Sequence, residues 1–164
     1  KPFGLWISVE DYEDDETWKT WCEKEKFRLE QLNYCYEVNL KPNANILWLK
    51  SSRQIHNFSI DYEKNLFPEM FLSKAVYSID WPRLMKEYDG IIIAPYCWGM
   101  RLDLVACWYY GWDCASGCIW NLDCIDVKLL YKQDPPYEHE VERPFSEIMD
   151  NMKAYNLKMM NNVG

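Results

Sequence analysis

Tyr88-Asp89-Gly90-Ile91-Ile92-Ile93-Ala94-Pro95 is the stretch on which the fold turns. Asp-Gly ends a helix and makes a turn. Ile91 to Ala94 is an apolar, β-branched run too short for a helix, so it reads as a buried central strand. Pro95 has no N–H to give to a strand ladder; it stops the strand and opens a long loop running through Gly117. Upstream, Asp80 is placed to cap a helix with Trp81, Leu84, Met85 and Tyr88 on its inner face, and Pro82 falls in the tolerated first turn.

Short elements follow on both sides. Leu5 to Val9 reads as a strand after the Pro2-Phe3-Gly4 turn. Trp18, Trp21, Cys22, Leu29 and Leu32 recur at helical spacing behind the candidate caps Asp14 and Asp15. Tyr36, Val38 and Leu40 alternate with polar residues, Lys41 to Asn45 is a turn, and Ile46 to Leu49 is another strand. Ser51 or Ser52 caps a short helix carrying Ile55 and Phe58, and Asp61 to Ser78 reads as an irregular connection. Cys118 to Trp120 and Val127 to Tyr131 read as a closing strand pair. Beyond Gln133, Asp134-Pro135-Pro136 and an acidic run mark a linker, and Phe145, Ile148, Met149, Met152 and Tyr155 mark a final helix. The expectation is one α+β domain over residues 1–131, then a linker and C-terminal helix over 132–164.

Composition narrows the function classes. With 164 residues, 49% of them hydrophobic and 16% aromatic, the chain can build a ring-rich core without staples. A net charge of −8 argues against binding a nucleic-acid backbone, and Lys19, Lys24, Lys26 and Arg28 are interleaved with Glu23, Glu25 and Glu30. No apolar run approaches the roughly 20 residues of a membrane-spanning helix, and no signal peptide is visible. The opening at Lys1 rather than Met reads as a processed or truncated product. The seven cysteines include no C-x-x-C pair, and Cys114, Cys118 and Cys124 lack zinc-site spacing, so reduced, buried thiols in a cytoplasmic protein are expected and no metal.

The chemistry concentrates in Tyr109-Tyr110-Gly111-Trp112-Asp113-Cys114-Ala115-Ser116-Gly117-Cys118-Ile119-Trp120-Asn121. Rings around one carboxylate and one hydroxyl suit a pocket for a flat ligand; the rival reading is a Trp-rich core with a tight turn in it. There is no P-loop, no G-x-G-x-x-G and no G-x-S-x-G, and His56 and His139 read as surface or linker residues. Asp113 stands out because its neighbours are Trp112, Cys114 and Ala115, which suits proton sharing or stabilisation of an oxocarbenium ion. Asp103 reads as a partner for Arg101, while Asp89, Asp123 and Asp126 read as turn residues. Ser8, on an otherwise apolar strand, is placed to orient a ribose or a carboxylate, or to satisfy a backbone group.

Taken in order, these motifs resemble the ADP-ribosyltransferase superfamily. Lys1-Pro2-Phe3-Gly4-Leu5-Trp6-Ile7-Ser8 is similar to its K-P-x-G-hydrophobic-aromatic-x-Ser/Thr strand. Tyr36 to Leu40, Ile46 to Leu49, Tyr88 to Ile92, and Cys118-Ile119-Trp120-Asn121 through Ile125-Asp126-Val127 follow in the family's order. Over about residues 1–131 the chain also resembles bacterial and phage proteins sharing K-P-x-G-L-W-x-S, Y-D-G-I-I-I-A-P-Y and W-D-C-A-S-G-C-I-W. The resemblance implies two small antiparallel sheets with flanking helices and a cleft that takes NAD as substrate. Nicotinamide leaves, and an acceptor, a protein among the candidates, captures the ribosyl cation. It implies Asp113 as the stabilising carboxylate and Ser8 as the brace of the site, with Trp6, Tyr96, Tyr110, Trp112 and Ser116 as the NAD-binding surface. Two departures stand out: Ser116 and Gly117 occupy the place of the family's late glutamate, and its opening-strand Arg, His or Tyr would lie before Lys1.

Two rival readings stay open. One is a catalytically degenerate version of the same fold acting as a protein-binding or inhibitor module. The other is an enzyme with Cys97 or Cys114 as nucleophile.

Overall fold

The structure, a computed structural model, describes residues 1–10, 17–65, 77–137, 149–150 and 152–154. It is α+β. Among the described residues eight strands run in chain order: β1 (Leu5–Ser8), β2 (Tyr34–Leu40), β3 (Ile46–Leu49), β4 (Glu63–Asn65), β5 (Tyr77–Ile79), β6 (Gly90–Ile93), β7 (Ser116–Ile119) and β8 (Ile125–Lys132). Among the described residues helices α1 (Trp18–Glu25), α2 (Ser52–Asp61) and α3 (Trp81–Glu87) accompany them, and residues 149–150 and 152–154 are helical too. The main sheet has the order β1-β7-β6-β3; β2 pairs with β8, and β4 with β5.

β6 lies inside the main sheet with all four residues buried, as its apolar run predicts. The sheet is not wholly antiparallel: β3 runs parallel to β6, Ile46 opposite Gly90 and Leu49 opposite Ile93. The chain between them carries α2 and α3, the long crossover that a parallel pair needs. The expected pairing of 118–120 with 127–131 does not form. A 3-10 turn at Leu122–Cys124 redirects the chain, so β7 serves the main sheet and β8 pairs with β2. The stretch read as irregular contains β4 and the start of β5, paired from Glu63–Ile79 to Asn65–Tyr77.

α1 is shorter than the apolar spacing predicts. Thr17 and Thr20 close a capping box at its start; Asp14 and Asp15 lie outside the described residues. Its end is set by Lys26 in the left-handed region (φ 51°), and Arg28 (φ 48°) is left-handed as well. Leu29–Leu32 therefore form a separate 3-10 turn. α2 and α3 start at Ser51 and Asp80, whose side chains accept from Gln54 N–H and Arg83 N–H.

The main core joins Ile55 and Phe58 of α2, Leu84 of α3, Ile91 to Ala94, and the buried rings Tyr96, Tyr109, Trp112 and Trp120. Ile119, Leu122, Cys124 and Ile125 form a second cluster, against which Met149 and Met152 of the C-terminal segment pack; Phe145, Ile148 and Tyr155 lie outside the described residues. The residues after β8 fold back on buried Asn33, which accepts from Tyr137 N–H (2.7 Å) through Oδ1 and donates to Tyr137 O through Nδ2. Gly117 is required by close packing: a Cβ there would lie 2.8 Å from Ile91 O and 2.7 Å from Ile92 Cγ1. Among the described residues, no helix is long and apolar enough to cross a membrane.

Asp89 ties β3 to β7. Its carboxylate accepts from Asn45 N–H (2.8 Å) and Asn121 Nδ2 (2.7 Å), and its carbonyl accepts from Trp120 N–H and Asn121 N–H. Asp89→Ala leaves the Asn45 amide without its acceptor. The expected loss is about 1–2 kcal/mol, a fall in Tm of roughly 2–8 °C in thermal denaturation. An unchanged Tm would show that water replaces the carboxylate at no cost.

Candidate functional site

The antiparallel register of β1 and β7 builds the site. Leu5 faces Ile119, Trp6 faces Cys118, and Ser8 faces Ser116. Trp6 and Ser8, two residues apart on a strand, share one face, and the directly opposed Ser116 joins them there. Val9 N–H donates to Ala115 O, so the chain before β7 runs on past the end of β1 and carries Asp113 to the start of α1. The result is a cavity of about 250 Å³ lined by Lys1, Trp6, Ile7, Ser8, Trp18, Asp113, Cys114 and Ser116. Two segments more than 100 positions apart in sequence thus bring together Trp6, Ser8, Asp113 and Ser116.

The polar groups of this cavity have defined remaining capacity. Ser8 Oγ accepts the amide of Trp18 (3.1 Å), one of the orphan donors at the start of α1, which leaves its own O–H to donate. Ser116 donates to Cys114 O (3.0 Å), which leaves its oxygen to accept. Asp113 Oδ1 accepts from Arg101 (3.0 Å), both side chains about one-quarter exposed, which leaves Oδ2 to accept. The ligand-facing set is therefore one carboxylate oxygen, one hydroxyl donor and one hydroxyl acceptor beside two indoles. Lys1 Nζ lies 4.8 Å from the Trp6 ring centre, within cation–π range.

Five expectations change. Trp112 is only 1% exposed and is packed against Trp6, Trp81, Trp108 and Tyr109; it is core, not a stacking surface for a ligand. Tyr96 is buried too, its hydroxyl donating to Trp112 O, and Tyr110 is exposed under the Arg101 guanidinium; neither lines the cavity. The turn-rich segment 98–111 coils tightly enough to sink Trp112 inward while Asp113 stays at the surface. Asp113 is not isolated among apolar neighbours, because Arg101 reaches it from twelve positions away. Asp103 is not the partner of Arg101; it caps Val105 N–H and Ala106 N–H.

Sequence reading also misses Lys1, Trp18 and Arg101 as members of the site. Lys1 stood in the quoted opening motif. Trp18 was assigned to a helix interior, and nothing local in the sequence signals the fold-back of Arg101.

The cysteines do not form a centre. Among the described residues no three His, Cys, Asp or Glu side chains are grouped to hold a metal, so Cys114, Cys118 and Cys124 make no zinc set. Burial pushes the Cys114 and Cys118 thiols up to about 12 and Cys22 up to about 11. The same burial disfavours the Cys114 thiolate, the form a nucleophile needs, at neutral pH. Brief iodoacetamide treatment of the folded chain is expected to label exposed Cys107 and spare Cys22, Cys114 and Cys118 until denaturant is added. Mass spectrometry of the peptides reads this directly, and labelling of Cys114 in the native chain would restore the thiol mechanism.

A larger groove, about 480 Å³, lies along β3 between Trp48, Phe58, Tyr62, Arg83 and Tyr88. It is more open, and its strongest groups are engaged within the chain. Arg83 donates to Asp61 O and Glu87, Tyr62 donates to Glu87 (2.5 Å), and Gln54 accepts from Lys50 N–H. The smaller cavity is the one lined by the motif residues Trp6, Ser8, Asp113 and Ser116.

Compared with protein-family models, with curated proteins and with solved structures, the chain matches none.

Proposed function

We propose that the Trp6–Ser8–Asp113 cavity takes the nicotinamide-ribosyl end of NAD and that the protein is an NAD-dependent ADP-ribosyltransferase. The observation that supports this most is the convergence of Trp6 and Ser8 with Asp113 and Ser116, from motifs more than 100 positions apart, in one cavity. About 250 Å³ suits a flat ring and one sugar, with the remainder of the dinucleotide extending outside.

In the proposed reaction the bond between ribose C1′ and the nicotinamide nitrogen breaks, its electron pair leaves with the ring, and the acceptor bonds to C1′ and gives up its proton. Asp113 Oδ2 accepts from the ribose hydroxyl and faces the positive charge developing beside it. Arg101 fixes the carboxylate through Oδ1. Ser8, anchored by the Trp18 amide, donates to the ligand, and Ser116 accepts from it. Trp6 and Trp18 supply ring surface for the nicotinamide.

The test is nicotinamide release from NAD by the wild type and by Asp113→Asn. Release by the wild type and its loss in the variant is the expected result; no release by the wild type overturns the reading. One observation favours a second reading, a binding module without turnover: Arg101 already claims one oxygen of Asp113. NAD binding without nicotinamide release would select it.

A further inference from the structure

We infer that the loop from Trp98 to Val105, together with Tyr110, is a self-association surface through which two copies of this chain pair. Leu104 is 93% exposed and Leu102 81%, and Trp98, Val105 and Tyr110 are exposed beside them. A monomer seldom carries side chains of this kind together on its surface without a partner to cover them. Arg101 holds the aromatic part together, its guanidinium 5.8 Å from the Trp98 ring and 5.2 Å from the Tyr110 ring.

The loop is built to hold these side chains out. Met100 and Ala106 are buried anchors on either side of the tip. Met100 N–H donates to Cys97 O, Arg101 N–H to Trp98 O, and Asp103 N–H to Met100 O, while Asp103 Oδ1 takes the amides of Val105 and Ala106. Little ordering entropy is left to lose on association.

Charge selects the occupant. The chain carries −8, yet from Cys97 to Trp112 its only charged residues are Arg101 and Asp103, which cancel. Both are satisfied within the chain, Arg101 by Asp113 and Asp103 by two amides, so covering the patch strands neither charge. An anionic lipid surface meets one lysine beside the loop, Lys1 against Gly111, and faces the net charge of −8. A second copy meets a neutral, apolar surface that supplies both rings and short branched side chains, the mixture a two-fold interface needs to match itself. The five side chains expose on the order of 700 Å² per copy, near the roughly 800 Å² per partner of a standard interface.

The experiment is sedimentation equilibrium of the full chain over a wide concentration range, at low and high salt. The wild type is expected to approach twice 19.8 kDa as concentration rises, and to pair more tightly in high salt, which screens the repulsion of two acidic chains. L102E/L104E, at positions open to solvent, keeps its circular dichroism and weakens pairing by at least about 100-fold. L102S/L104S falls between. A wild type that keeps the mass of one chain at every concentration overturns the inference, as does a double-Glu variant that pairs as well as the wild type. Wild-type monomers that sediment with phosphatidylcholine vesicles also overturn it and assign the loop to a neutral lipid surface. None of these outcomes depends on nicotinamide release.

Discussion

Trp112→Ala is expected to lower stability by about 3–5 kcal/mol, a drop in Tm of roughly 6–20 °C, while the cavity residues remain chemically intact. Trp112 heads the fully buried side chains by volume. Its ring meets Trp6 at 4.8 Å, Trp108 at 5.5 Å and Tyr109 at 6.1 Å between centres, so truncation opens a void with rings on several sides. Trp112→Phe separates volume from polarity. Among the described residues Trp112 Nε1 has no hydrogen-bond partner, so phenylalanine loses ring area but no hydrogen bond, and about 1–2 kcal/mol is expected. Thermal melts of the three proteins decide the matter. A Trp112→Ala chain with unchanged Tm but lost NAD binding would return the ring to the ligand surface.

Trp112 also shows where sequence reading stops. The opening motif and the 109–121 stretch offer candidate site residues because their chemistry is local: a hydroxyl on a short strand, a carboxylate before another. β1 and β7 then meet at Ser8 and Ser116, and both ends of that pairing stand in the quoted motifs. Burial of one ring among several in a row is not local. Tyr109, Tyr110 and Trp112 look equivalent in sequence, yet the 3-10 turn over Cys107–Gly111 sends the first and third inward and leaves the second exposed.

The fold divides in the same way. Helix starts at Ser51 and Asp80 were legible because a cap is a single side chain acting on the next turn. The end of α1 was not, since left-handed Lys26 and Arg28 are residue types with no preference for that conformation. Strand existence was legible from apolar runs, but pairing was not. Nothing in β8's alternation says that it joins β2 rather than β7, a choice made by the short turn at Leu122–Cys124. Arg101 illustrates the hardest class, a long side chain whose partner is set only after the whole loop has coiled.

Asp113→Asn is the second large effect, on activity rather than stability. The amide keeps the shape of the side chain and an oxygen for Arg101, so the hydrogen bond at 3.0 Å survives while the charge goes. For a partly exposed pair the stability change stays within about 1 kcal/mol. Among the described residues Asp113 is the one carboxylate lining the cavity, so the variant leaves no negative charge there. A preorganised group facing developing charge contributes about 3–4 kcal/mol, so nicotinamide release is expected to fall by roughly 100- to 1000-fold with KM for NAD little changed. Arg101→Gln releases the carboxylate without removing it, and a smaller loss, about tenfold, is expected. Ser8→Ala strips the Trp18 amide of its acceptor as well as the ligand of a donor, so it should cost both rate and about 1 kcal/mol of stability. The ordering of the three matters more than any single value. A chain in which Asp113→Asn releases nicotinamide at the wild-type rate has its catalytic carboxylate elsewhere, whatever the other two variants do.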